Sequence, residues 1–395
     1  MHLTVVSPFP PTITGIGQYG FHITRAIEQA GLFSRITVLA GAKTESHNSR
    51  LLNNAEIDYC WRPDDLRTRG VILSRLKHLQ PDLVWFNLGA SVFGRSPLAN
   101  LSAMFSPMLA QRMGLPTIVT LHELVELADL RALNAPGGFL APLGARLLTE
   151  IATKADLVCL TMQHYVDWLS ARNINCVHIP IGSYHEPELL EETDEQELLF
   201  FTTLAPFKGL EILLKAFKEL KNDFPKLRLS IAGADHTRFP NYSKDLRKQC
   251  DEANSIRWLG QIPEEKVKDL FRSAQIVVLP YTASTGSSSV LYQSATWGRA
   301  IVASDLNEHK HLARENGLQI QFFENGSVQS LKDSLCNLLK QNSLRKSQTL
   351  HNFNAIQKLT PSETCRHYIQ AFNSALESCR SQKRIIIPRK EMELL

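Results

Sequence analysis

Pro280-Tyr-Thr-Ala-Ser-Thr-Gly-Ser-Ser-Ser-Val-Leu-Tyr-Gln-Ser-Ala-Thr-Trp-Gly-Arg-Ala-Ile-Val-Ala-Ser-Asp305 is the stretch on which the fold turns. The apolar run just before it, residues 276–279, reads as a strand. Residues 282–289 are small and mostly hydroxylic, residues 287–297 read as a helix, and Gly298 ends that helix before a second apolar strand at 301–303. A strand, a Gly/Ser loop and a helix start form an anion site, because unpaired N–H groups and the positive end of the helix dipole face the loop. The expected ligand carries phosphate.

The same alternation extends in both directions. Residues 3–6, 36–39, 83–86, 117–121 and 157–160 read as strands in the first half, and 198–204, 227–232 and 256–259 in the second. Between the first two, Gly20, Ile23, Ile27 and Ala30 recur at helical spacing, with Gly31 placed to end the helix. Leu210, Leu213, Leu214, Phe217 and Leu220 form one helix face in the second half. Alternating strands and helices imply parallel sheets with helices on both faces, an α/β class. Residues 183–197 are acidic and weakly patterned and read as a linker, and a last helix is expected over 361–379. The tail beyond it, basic and apolar over 380–390, reads as a frayed end. Contact with a membrane surface is the sharper alternative. The Ala/Leu/Gly-rich residues 124–149 read as core helix in preference to an acceptor groove.

Composition narrows the function. The chain has 395 residues, 44% hydrophobic and 21% charged, with a net charge of +4. That suits a globular protein of two domains and gives no reason to expect nucleic acid as a partner. Seven dispersed cysteines with no paired spacing point to reduced thiols and a cytoplasmic setting, and no Cys/His cluster has metal-ligand spacing. The opening residues read as a strand and not as a signal peptide, and no apolar run has membrane-spanning length.

Several smaller features carry chemistry. Gly15-Ile-Gly-Gln-Tyr-Gly20 fits the dinucleotide pattern literally. However, residues 8–14 separate it from its strand, and the next strand ends in Ala40-Gly41 without a carboxylate for a ribose. Hydride transfer is therefore disfavoured. A close backbone approach to a ligand and a tight structural turn both stay open. Lys208, in Thr202-Thr-Leu-Ala-Pro-Phe-Lys-Gly-Leu210, opens a helix after a strand and can meet a phosphate as a point charge. His122-Glu123 follows the strand at 117–121, at the end where open α/β sheets bind ligands.

With these residues the chain resembles a glycosyltransferase of the GT-B fold, most similar to the retaining glycosyltransferase family four, in a bacterial form. The resemblance runs through Pro10-Pro-Thr-Ile-Thr-Gly-Ile-Gly17, Thr120-Leu-His-Glu123, Ile179-Pro-Ile-Gly182, Lys208-Gly209, Ile231-Ala-Gly233, Trp258-Leu-Gly-Gln-Ile-Pro263 and the segment from Pro280 to Asp305. It implies two Rossmann-like, doubly wound domains facing across a cleft. An acceptor domain would span 1–182 plus 361–395, and a nucleotide-sugar domain 183–360. It implies a nucleotide diphosphate sugar as donor substrate and a sugar, lipid-linked or small-molecule hydroxyl acceptor. No metal and no further cofactor are expected. The setting would be polysaccharide or glycolipid assembly, in the cytoplasm or peripherally at the inner face of the membrane. By the same resemblance, Gly15 and Ile16 line the donor diphosphate, His122 contacts the transferred sugar and Lys208 neutralises the diphosphate. Gln261 and Ile262 meet the base through backbone, and Gly286, Ser287, Ser288 and Ser289 cradle phosphate and sugar. Where the family places two glutamates this chain has Thr285 and Gln293, and where it places an arginine it has Thr203. These departures leave a second reading open, a GT-B homologue that binds a nucleotide sugar or a partner without turnover.

Overall fold

The computed structural model describes residues 1–12, 14–42, 52–133, 138–248, 255–284 and 286–386. The chain divides into two compact units. One comprises Met1–Glu126, Pro136–Pro180 and Pro361–Leu395, and the other Leu127–Ala135 and Ile181–Thr360.

The strands of the first unit are β1 (His2–Val6), β2 (Arg35–Gly41), β3 (Ala55–Trp61), β4 (Leu83–Leu88), β5 (Thr117–Leu121), β6 (Leu157–Leu160) and β7 (Cys176–His178). All pair in parallel, in the order β3-β2-β1-β4-β5-β6-β7. Helix α1 (Gly15–Gln29) starts at Thr14, whose hydroxyl accepts from the Gly17 amide at 3.0 Å, and is followed by Gly31 at φ +68°. Helices α2 (Thr68–Leu79), α3 (Pro97–Met104), α4 (Ser106–Arg112), α5 (Ala141–Ala152) and α6 (Gln163–Ser170) complete the run. β4, β5 and β6 are buried along their whole length, as strands covered on both faces must be.

The second unit repeats the plan. Its strands β8 (Glu197–Phe201), β9 (Arg228–Ala232), β10 (Ile256–Gly260), β11 (Ile276–Leu279), β12 (Ala300–Ser304) and β13 (Gln321–Phe323) are parallel, in the order β10-β9-β8-β11-β12-β13. Its helices are α7 (Leu210–Asp223), α8 (Tyr242–Lys248), α9 (Glu264–Ser273), α10 (Ser289–Thr296), α11 (Asn307–Asn316), α12 (Val328–Lys340) and α13 (Asn342–Ile356). Leu210, Leu213, Phe217 and Leu220 of α7 pack into one core with Leu198, Leu229, Ile276 and Val302. In both sheets the first and fourth strands lie side by side and the order reverses between them, so each unit has a topological switch point.

The last helix, α14 (Pro361–Ile386), belongs to the first unit. Tyr368 anchors it: its hydroxyl lies 2.8 Å from both the Tyr19 and the Thr120 hydroxyls, and Thr120 accepts from the Trp85 indole N–H at 2.9 Å. Phe372 packs edge-on against Phe33 and tilted against Trp85.

Several sequence expectations need correction. The strand expected over 198–204 ends at Phe201, because Thr202 to Ala205 turn away to start the next helix; only an isolated bridge continues at Leu204. The helix expected over 287–297 spans Ser289–Thr296, and the one expected over 361–379 runs on to Ile386. The acidic linker is packed down. Glu192 pairs with the buried Arg345, Glu188 pairs with Lys268, and Glu197 is fully buried against Arg257 and Ser230. Among the described residues of 124–149 the α-helix covers only 141–149; Ala145 and Thr149 are buried there, while Leu140, Leu143 and Leu147, spaced along one side, are 55%, 68% and 44% exposed. Six of the cysteines are free thiols, and Cys250 lies outside the described residues, as does the end of the basic tail from 387. No described helix is long and apolar enough to cross a membrane.

Candidate functional site

In the second unit the carboxyl ends of β8 and β11 adjoin at the switch point, and the loops that follow them are locked together. The short 3-10 turn Pro206–Lys208 leads to Gly209, at φ +68°, which starts α7. A Cβ on Gly209 would lie 1.8 Å from the Pro280 carbonyl oxygen, so only glycine lets these two loops approach this closely. The Phe207 carbonyl accepts from the Thr282 amide at 2.9 Å. The result sets the Lys208 ammonium 3.8 Å from the centre of the Tyr281 ring, a cation–π contact that ties the lysine to the β11 loop.

That loop leads into α10, whose amino terminus is closed by no side-chain bond from Ser288. Gly286, Ser287, Ser288 and Ser289 are all half-buried there, and three tyrosines back them. Tyr281 lies against Ser288 and Thr202, Tyr292 against Ser287 and Asn316, and Tyr184 against Ser289. Burial pushes all three phenols above their ordinary range, so they stay protonated and can donate. Gln293, on the second turn of α10 and 8% exposed, makes no side-chain hydrogen bond among the described residues. Gln261 and Ile262 follow β10 at the same carboxyl edge, two strands from β8. Thr203 is exposed, and Thr285 lies outside the described residues.

His309, which the sequence reading passed over, sits behind Lys208. It is 1% exposed, its ring lies 5.4 Å from that of Tyr281, and its Nδ1 donates to the Ser304 carbonyl at 2.9 Å. Burial, and then the Lys208 charge, lower its pKa to about 4 against the opposing pull of the Ser304 carbonyl, so the ring is neutral at physiological pH. Its Nε2 is buried without a hydrogen-bond partner. A histidine inside the helical pattern of α11 gave no signal of this position.

The first unit holds a separate cluster at its own switch point, between β1 and β4. Gly15 and Ile16 form the first turn of α1, and a Cβ on Gly15 would meet nothing within 4 Å. Gly20 is the sterically required glycine of that motif: a Cβ there would lie 2.3 Å from Ser7 Oγ and 2.8 Å from Asn87 Nδ2. His122, 9% exposed at the end of β5, is held by Asn87 Oδ1 at 2.6 Å and by the edge of the Tyr19 ring at 4.7 Å. Burial lowers its pKa to about 3. Glu123 accepts from the Ala90 amide at 2.7 Å and so fastens the loop after β4. Asn87, a lone polar residue in the apolar strand Leu83–Leu88, joins the His122 and Ile16 positions; that break in an apolar run was the available signal.

Two Rossmann-like units of parallel strands, with a helix start and a lysine gathered at the second switch point, define the GT-B class of α/β proteins. Residues 185–352 match the family described as Glycosyl transferases group 1. Phosphatidyl-myo-inositol mannosyltransferase of Mycolicibacterium smegmatis is 26% identical over 205 residues, covering 50% of this chain and 49% of that protein, so the match spans about half of the relative's length. Among solved structures, Anabaena HepE in complex with UDP-glucose superposes with a TM-score of 0.72 at 15% identity, covering 95% of this chain and 100% of that one. Sucrose-phosphate synthase from Thermosynechococcus elongatus gives 0.71 at 13%, covering 96% and 100%. At these identities the structures show a shared fold.

Proposed function

We propose that the chain is a glycosyltransferase that moves a hexose from a nucleotide diphosphate sugar to a hydroxyl acceptor with retention of configuration. The observation that carries this reading is the union of the Lys208 ammonium with the serine loop that opens α10. In the reaction the bond from the anomeric carbon to the diphosphate breaks through an oxocarbenium-like state, and its electron pair leaves with the diphosphate. The acceptor oxygen then bonds to the same face of that carbon, and its proton passes to the departing phosphate oxygen. Fixed donors aimed at the growing negative charge supply most of the acceleration, about 3 kcal/mol for each well-placed one. Lys208, the amides of residues 286–289 and the α10 dipole take that role without a metal ion, Gln293 meets the ribose, and His122 contacts the sugar. The mannosyltransferase relative and the neighbour solved with UDP-glucose make nucleotide-linked mannose and UDP-glucose the first donors to try.

Calorimetric binding and hydrolysis assays across a panel of UDP-, GDP- and ADP-hexoses test the proposal. It expects binding and turnover of at least one donor; no binding of any would overturn it. A second reading, binding without turnover, is favoured by the neutral Thr203 and Gln293 where the resemblance expects charged groups. Tight binding with no transfer to any acceptor would select it.

A further inference from the structure

Asn87 is engaged at all of its polar atoms. Its Nδ2 donates to the Ile16 carbonyl at 2.9 Å and to Ser7 Oγ at 2.9 Å, while Ser7 Oγ donates onward to the Pro8 carbonyl at 2.7 Å. A carbonyl oxygen can only accept, so Ile16 fixes which end of the amide is nitrogen. The other end, Oδ1, then faces His122 Nε2 at 2.6 Å. An amide oxygen also only accepts, so the proton of this contact sits on Nε2. The ring is buried and neutral, so it carries a single N–H. Its Nδ1 therefore presents a lone pair, and no described residue donates to it. Tyr19 fixes the ring plane edge-on.

We propose that Asn87 is a positioning residue that holds neutral His122 as its Nε2–H tautomer, leaving Nδ1 to accept a hydrogen bond from a hydroxyl of the bound sugar. The same amide ties the first turn of α1 to β4, so the Gly15–Ile16 backbone and the His122 acceptor are set by one side chain. His122 is consequently neither an acid nor a donor toward the ligand, and it discriminates for a hydroxyl over a hydrogen or an ether at the matching sugar carbon. The identity of what meets Nδ1 rests on the proposed function; the tautomer does not.

The test uses the full chain labelled with 15N-histidine, with His122→Gln to assign the resonance. Long-range proton–nitrogen correlation at neutral pH should show His122 with Nε2 protonated and Nδ1 unprotonated. An Nδ1–H ring or a protonated ring would overturn the proposal. Asn87→Leu should give a mixture of tautomers, whereas Asn87→Asp, which keeps an acceptor at the same place, should retain Nε2–H. An unchanged tautomer in Asn87→Leu would remove Asn87 from the role. If that variant fails to fold, the wild-type spectrum still decides the tautomer. With a working donor, Asn87→Leu should lose about tenfold in transfer rate, the cost of one neutral hydrogen bond, and Asn87→Asp, which keeps the acceptor toward His122, should recover most of that loss. A loss in Asn87→Asp as large as in Asn87→Leu would assign Asn87 a merely structural role. Absence of nucleotide binding in the wild type would overturn the proposed function and leave the tautomer standing.

Discussion

Lys208 is held by an aromatic face and by backbone closure of its loop, so its ammonium is oriented before any ligand arrives. Preorganised charge of this kind acts on the transition state more than on the ground state. Lys208→Ala should therefore lower kcat for donor turnover on the order of 100-fold, with a larger loss for poorer leaving groups, measured by steady-state hydrolysis or transfer. An unchanged kcat in a folded variant would remove the lysine from the chemistry. Gln293→Glu tests the proposed ribose contact: donor KM should change and acceptor KM should not. A shift confined to the acceptor would relocate Gln293. Lys208 was legible in the sequence because a cation after a strand and before a helix has few structural uses. His309 was not legible, and Asn87 offered only the break it makes in an apolar run. Each matters through a partner distant in sequence, and neither sits in a motif that short spacing reveals.

At the level of loops and strands, Gly209 is the pivot. Its positive φ and its approach to Pro280 leave no room for a methyl group. Gly209→Ala should cost about 2 kcal/mol or more and raise donor KM, because relieving the clash moves Lys208 away from the β11 loop. Thermal unfolding together with donor kinetics measures both effects, and unchanged stability would mean that the loops separate without penalty. The long apolar strands were readable because both of their faces are covered. β3 was not, since Ala55-Glu-Ile-Asp-Tyr-Cys-Trp61 lies at the sheet edge and mixes polar with apolar positions. β7 and β13, three residues each and also at edges, fall below what periodicity can register. The acidic stretch before β8 holds no helix or strand, as a linker should; what its composition did not reveal is its packing, with Arg345 held by Glu192 and Arg257 by Glu197.

At the scale of the whole molecule, the buried His122 and His309 have folded pKa values, about 3 and about 4, below the unfolded value near 6.5. The unfolded chain therefore binds more protons as pH falls, and stability present above pH 6.5 is lost below it. Each ring contributes roughly 1 kcal/mol per pH unit, until about pH 4 for His309 and about pH 3 for His122. Urea unfolding at pH 7 and pH 5 should show the drop, reduced in His309→Gln; a flat profile would contradict the burial of both rings. A chain ended at Thr360 should lose hydrogen-exchange protection in β1, β4 and β5 but keep it in β8, β9 and β11, since removing Tyr368 and Phe372 forfeits about 3–5 kcal/mol for each ring. Full protection of β1 without α14 would refute that dependence. The placement of α14 also governs biosynthesis. Strands β1 to β7 of the first unit precede residues 181–360 in the chain, yet its helix α14 leaves the ribosome only after them. Until then the nascent chain shows the groove around Trp85 and Phe33 uncovered, while residues 181–360 can already have folded, so the first unit completes its packing only after the second has had the chance to fold.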